Sequence, residues 1–126
     1  MARQQTLRAT IDWSFQLLAG AEQKLLARLA VFAGGASLAA VEAVCSTEGV
    51  ARDAVFELLA ALVAQSLVVA EDHGIQTRYR LLETIRQYGE ERLDAAGETQ
   101  LWQARHASYY AGFLARAREQ AHDPNQ

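Results

Sequence analysis

Residues 77–93, TRYRLLETIRQYGEERL, carry two periodicities in succession. Thr77, Tyr79 and Leu81 alternate with Arg78 and Arg80, the two-residue rhythm of a half-buried strand. From Leu82 the rhythm lengthens: Leu82, Ile85, Tyr88 or Gly89, and Leu93 recur at helical spacing, while Glu83, Arg86, Glu90, Glu91 and Arg92 fall mostly off that stripe. The reading is a strand that runs straight into a helix.

Just upstream, residues 66–70 (SLVVA) form a second strand-like run. The link Glu71-Asp72-His73-Gly74 is polar with a glycine near its tip, which predicts a β-hairpin. Everything before the hairpin reads as helix. A helical unit ending in one hairpin has the outline of a winged helix, a helix-turn-helix core whose hairpin is the wing.

The earlier helices follow from apolar spacing and glycine punctuation. Leu7, Ile11, Phe15 and Leu18 predict a first helix over 3–18, with Trp13 on a neighbouring face, and Ala19-Gly20 is expected to end it through a glycine cap. Leu25, Leu26, Leu29 and Phe32 predict a second helix over 21–32, stopped by Gly34-Gly35. Ser37 is a good N-cap for a third, running through Cys45 on Leu38, Val41 and Val44. A fourth spans 51–65, with Val55, Leu58, Leu59, Leu62 and Val63. After the helix over 82–96, Gly97 punctuates, and residues 98–121 predict a last helix with Trp102, Tyr109 and Phe113 on one side. That side has no evident partner in the sequence, so further chain is expected after Gln126. The one proline, Pro124, forces no kink upstream.

Composition limits the function. A chain of 126 residues can bury roughly two thirds of the surface it exposes unfolded. It is 51% hydrophobic, yet no run approaches the roughly 20 apolar residues of a bilayer span. With no apolar leader at the N-terminus, a cytoplasmic location is expected. The single Cys45 reads as a small buried hydrophobe. A formal net charge of −3 argues against a surface devoted to phosphate neutralisation.

No catalytic or ligand constellation emerges. There is no GxxxxGK[ST] loop, and nothing around Gly34-Gly35 completes a phosphate-binding fingerprint. His73, His106 and His122 lie apart, without metal-ligand spacing. His106, near Trp102, Tyr109 and Tyr110, reads as a packed or partly exposed helix histidine. Glu90 and Glu91 are adjacent on a helix and point apart, so they read as solvated face. The expectation is a non-enzyme with no cofactor or metal of its own.

DNA binding is the serious alternative, since a winged helix commonly places its third core helix in the major groove. Here that helix, 51–65, has Arg52 against Asp53 and Glu57, and Gln65 is its one amide. Groove readers need arginine, lysine, asparagine or glutamine along the exposed face. Arg78 and Arg80 point outward by alternation, so they are candidate phosphate contacts, with Arg3 and Arg8 as further candidates. The plainer reading is a solvated strand face or an ion pair with a neighbouring carboxylate. DNA binding through this region is therefore not the favoured expectation.

The runs RQQTLRATIDWSFQLL, EQKLLARLAVFAGG, VFELLAALVAQSLVV and TRYRLLETIRQYGEERL, in that order, resemble the winged-helix region of bacterial STAND-type (NB-ARC-like) regulatory ATPases, of the LuxR- or SARP-type transcriptional regulators. The resemblance spans nearly the whole chain. It implies a winged-helix domain over 1–96 and, over 97–126, the start of a TPR-like helical region. It implies a non-catalytic regulator that packs against a neighbouring nucleotide-binding module and relays its ATP/ADP state to the repeats. In relatives the strand-to-helix junction carries an MHD motif whose histidine meets ADP phosphate. By resemblance that motif falls on Leu81, Leu82 and Glu83, with Arg86 one turn on. Leu82 stands at the histidine position and cannot donate a hydrogen bond to phosphate.

Overall fold

A computed structural model describes the backbone of residues 2–121 and the side chains of residues 6–119. His122 and Pro124, and the side chain of Arg3, lie outside the described residues. The elements are α1 (Ala2–Gln16), α2 (Gly20–Leu29), β1 (Ala36–Ser37), α3 (Leu38–Cys45), a 3-10 turn (Arg52–Ala54), α4 (Val55–Ala64), β2 (Val69–Asp72), β3 (Thr77–Arg80), α5 (Glu83–Ala95) and α6 (Thr99–Ala121). This is the mostly helical winged helix-turn-helix architecture that the periodicity predicts.

A main core is shared by α1 to α5. Ile11 and Phe15 from α1, Leu25, Leu26 and Leu29 from α2, Val41 and Val44 from α3, Val55, Leu59 and Leu62 from α4, and Ile85 and Tyr88 from α5 are buried together. Each set repeats at three or four residues, which is what places it on one side of its helix. Ser37 caps α3 as expected, its Oγ accepting from the Ala40 amide at 3.2 Å. Cys45 is fully buried, and burial pushes its thiol up to about 12.

Where structure and sequence differ, the reasons are local. Gly20 does not cap α1; it opens α2, whose start is closed by the Ala19 amide donating to Glu22 Oε1 at 2.8 Å. Leu7 and Leu82, assigned to buried stripes, are 45% and 46% exposed, the latter because it flanks α5 as its N-cap. The hairpin strand begins at Val69, so Glu71 and Asp72 belong to the strand and the turn is His73 to Gln76, closed by a 2.8 Å backbone bond. The first turn of the fourth helix is 3-10.

The sheet has three strands, ordered β1-β3-β2 and antiparallel throughout, where the sequence showed two. β1 pairs Ala36 with Tyr79 and Ser37 with Arg78. The chain enters it through Gly35, at φ 88°, where a Cβ would stand 2.9 Å from both Arg80 Cβ and the Tyr79 carbonyl. A side chain is excluded there twice, by handedness and by contact.

The Trp and Tyr side of α6 is not unpartnered. Trp102 is 1% exposed against Ala27 and Leu93, and Tyr109 and Tyr110 pack on the main core. His106 sits between the rings of Phe32 and Tyr110 at 5.0 and 4.8 Å and is half-buried, within the packed or partly exposed reading its neighbours imply. The outer half of α6 is different: Phe113 and Leu114 are half exposed.

Candidate functional site

The helix-turn-helix consists of α3, the turn over residues 46–54, and α4. Val55, Leu59 and Leu62 turn α4 toward the core, which leaves Phe56, Glu57, Ala60 and Ala64 on its exposed side. Arg52 and Asp53 are exposed just ahead of it. Phe56 is 56% exposed. The face thus offers one aromatic ring, small apolar side chains, two carboxylates and one guanidinium. α4 ends in a Schellman motif, Leu67 N bonding Leu62 O at 3.0 Å and Ser66 N bonding Val63 O at 2.9 Å, with Ser66 at φ 63°.

The wing follows. Tyr79 and Leu81 point inward and are buried, while Arg78 and Arg80 lie on the other face and are half-buried. Alternation therefore places them correctly, and neighbours already hold both. Arg80 Nε meets Glu71 Oε1 across the hairpin at 3.0 Å, and that hydrogen bond lowers the Glu71 pKa. Arg78 Nη2 donates to the carbonyls of Gly35 at 3.0 Å and Gly34 at 3.3 Å. At the wing tip stand His73, Gly74, Ile75 and Gln76, and Ile75 is fully exposed. Arg8 pairs with Glu91.

At the strand-to-helix junction, Leu81 is buried and Leu82 projects. Glu83 accepts from Arg86 Nε and Nη2 at 3.0 and 2.7 Å, which holds the Glu83 carboxyl below its ordinary range. Arg86 also bonds Glu90 and reaches the Ala30 carbonyl at 3.4 Å. The junction is thus stapled to the end of α2. Among the described residues, no group of three or more His, Cys, Asp or Glu side chains could hold a metal ion, and no helix is long and apolar enough to cross a membrane.

The most tightly bound polar group was not anticipated from the sequence. Arg28 of α2 is 3% exposed. Its guanidinium donates to the carbonyls of Cys45 at 2.9 Å, Thr47 at 2.6 Å and Glu48 at 2.8 Å, all at the end of α3 and the turn that follows. It lies 4.0 Å from the centroid of the Trp102 ring. Burial lowers its pKa, with Glu98 and Glu48 acting in the opposite sense. One signal was available: Leu25, Arg28 and Phe32 share a stripe, so a charge stands at an otherwise apolar position.

A family profile described as "Winged helix-turn-helix domain" matches residues 18–94, from the end of α1 almost to the end of α5. "Putative HTH-type transcriptional regulator Rv0890c" of Mycobacterium tuberculosis (strain ATCC 25618 / H37Rv) is 48% identical over 124 residues, covering 98% of this chain and 14% of the relative. A Mycobacterium bovis relative with the same type of name, Mb0914c, matches to the same extent. "Uncharacterized protein Rv0894" of M. tuberculosis is 40% identical over 129 residues, covering 98% of this chain and 29% of the relative. The chain therefore spans a minor part of each. No solved structure matches it.

Proposed function

This chain belongs to the winged helix-turn-helix domain family, and we propose that it is a non-catalytic regulatory module of a larger transcriptional regulator, docking on protein through the exposed face of α4. The observation that carries this reading is the chemistry of that face. Phe56 stands beside Glu57, with Asp53 ahead of it, and Arg52 is the sole cation among them. Base edges and phosphates call for the opposite set of side chains. An exposed ring flanked by small side chains is suited to a protein surface.

The finer reading rests on the resemblance. The docking partner is a STAND-type nucleotide-binding module of the same polypeptide, which holds ATP or ADP, and helical repeats follow α6. The nucleotide state of that module would favour one docked arrangement over another, and the difference would pass to the repeats. The pair of Glu83 and Arg86 at the strand-to-helix junction would set the angle of α5 in that exchange, with Leu82 as a packing contact.

A second reading is favoured by a specific finding, the family and the names of the relatives: a DNA-binding winged helix. The comparisons support this more directly than they support a nucleotide-binding partner. It would use Arg78 and Arg80 on phosphates, with Arg8 as a further contact. Fluorescence anisotropy on generic duplex DNA at two salt concentrations separates the two. The docking reading expects no binding at low salt. Micromolar affinity that collapses as salt rises, and disappears on charge reversal of Arg78 and Arg80, would replace it with the second.

A further inference from the structure

The turn between α3 and α4 holds little of its own conformation. Glu48 and Gly49 both have positive φ, 49° and 94°, and the first is a left-handed residue bearing a side chain, which is intrinsically disfavoured. Within the turn the Val50 amide reaches the Thr47 carbonyl at 3.3 Å, a long bond. Such a backbone persists when its surroundings over-determine it.

Val50 anchors one end of the turn in the core and Lys24 lies against Gly49; the groups that bond the rest of it are two arginines backed by one indole. Arg28 binds the carbonyls of Cys45, Thr47 and Glu48 from α2. Arg105, from α6, donates to Thr47 Oγ1 at 2.5 Å and to the Ala43 carbonyl at 3.2 Å. Both guanidinium groups face Trp102, at 4.0 and 5.3 Å from its centroid, and Glu98 fixes the indole by accepting from Nε1 at 3.0 Å. The distal side chains of α6, from Phe113 to Glu119, are exposed, so that half of the helix is open to contact while its first half grips the turn.

We infer that α6 is a clamp on the helix-turn-helix: docked, its Trp102 and Arg105 hold the turn over residues 46–51 in its left-handed conformation and so fix α4. Withdrawn, it releases Arg28 from its stacking partner and the turn from Arg105, and α4 loses its fixed approach. The clamp is independent of what the α4 face meets, protein or DNA. It makes the presentation of that face conditional on the position of α6.

Native-state hydrogen exchange on the 126-residue chain tests this. Arg105→Ala removes a half-exposed side chain and leaves the core intact. It is expected to speed exchange of the Val50 and Ala54 amides about tenfold, the loss appropriate to hydrogen bonds from a charged donor. Amides of α2 and α5 are expected to keep their rates. Thr47→Ala should give a smaller acceleration at the same amides, because the bond to Ala43 survives. Arg105→Lys should not restore protection, since one ammonium cannot reproduce the fork. Unchanged exchange at Val50 in Arg105→Ala, or an equal acceleration in α2 and α5, would overturn the clamp.

Discussion

Replacing Arg28 by methionine isolates the polar work of the most deeply buried charge in the described structure. Methionine retains a flexible stem that can lie against Trp102, so the change is mainly the loss of the guanidinium. Three donated bonds disappear, at 2.9, 2.6 and 2.8 Å. Bonds to a charged partner contribute roughly 1.5–3 kcal/mol each, but they do not add. The carbonyls of Thr47 and Glu48 lie near solvent and can take water. The Cys45 carbonyl lies among buried groups and cannot readily do so. Against this stands the relief of desolvating a cation, the same burial that lowers the Arg28 pKa.

The balance is a loss of about 2–4 kcal/mol, a large part of the roughly 5–15 kcal/mol that holds a domain of this size. Urea denaturation followed by far-UV circular dichroism measures it, as a lower midpoint at unchanged slope. Arg28→Lys should recover less than half of the loss, because a point charge cannot span three carbonyls. A loss under about 1 kcal/mol in Arg28→Met would refute the reasoning: desolvation would then cancel the bonds, and the turn would hold itself.

Three further outcomes are expected. Gly35→Ala places a Cβ 2.9 Å from backbone and side chain of β3 at φ 88°, so it should cost about 2–4 kcal/mol, and a midpoint unchanged in thermal melting would contradict that. Ser66→Gly relieves a left-handed serine at the end of α4 and should stabilise by about 0.5–1 kcal/mol on the same measurement. The Tyr88 phenol, buried and donating to Asp12, is pushed up to about 12. Its neutral form is the one the fold favours, so its contribution is fully present below pH about 10 and is lost as pH rises through about 12. Denaturant midpoints should fall faster over that window in the unsubstituted chain than in Tyr88→Phe.

What the sequence made legible follows from how far each feature reaches along the chain. The helices announced by three- and four-residue spacing and the Ser37 cap depend on neighbours a few positions away and stand close to where the pattern puts them, while the hairpin turn keeps Gly74 but shifts two residues on, to 73–76. β1 is two residues long and exists through pairing with Tyr79 and Arg78, more than forty positions on, so no local pattern marks it. The same holds for Trp102. Its burial depends on Arg28 and Ala27 of α2, contacts that periodicity within α6 cannot disclose. Arg28 was legible as an anomaly on an apolar stripe, although its three carbonyl partners were not.

The wing arginines show why pairing alone does not decide the partner of a basic group. Arg80 must leave Glu71 to meet a phosphate, but both side chains are about two fifths exposed, and an ion pair so open to water is weakly held. The contacts of Arg78 with Gly34 and Gly35 are similarly open to exchange. What weighs against DNA is the charge left behind. Once Arg80 turns away, Glu71 keeps only the more distant His73 imidazole at 3.9 Å on the same wing, and Asp53 and Glu57 line the helix face beyond Arg52. A duplex brought to these residues would meet the carboxylates of Glu71, Asp53 and Glu57 close to Arg80 and Arg52, and like charges brought close disfavour the contact. A protein partner carrying a few lysines or arginines around an apolar patch would meet the same carboxylates as complements.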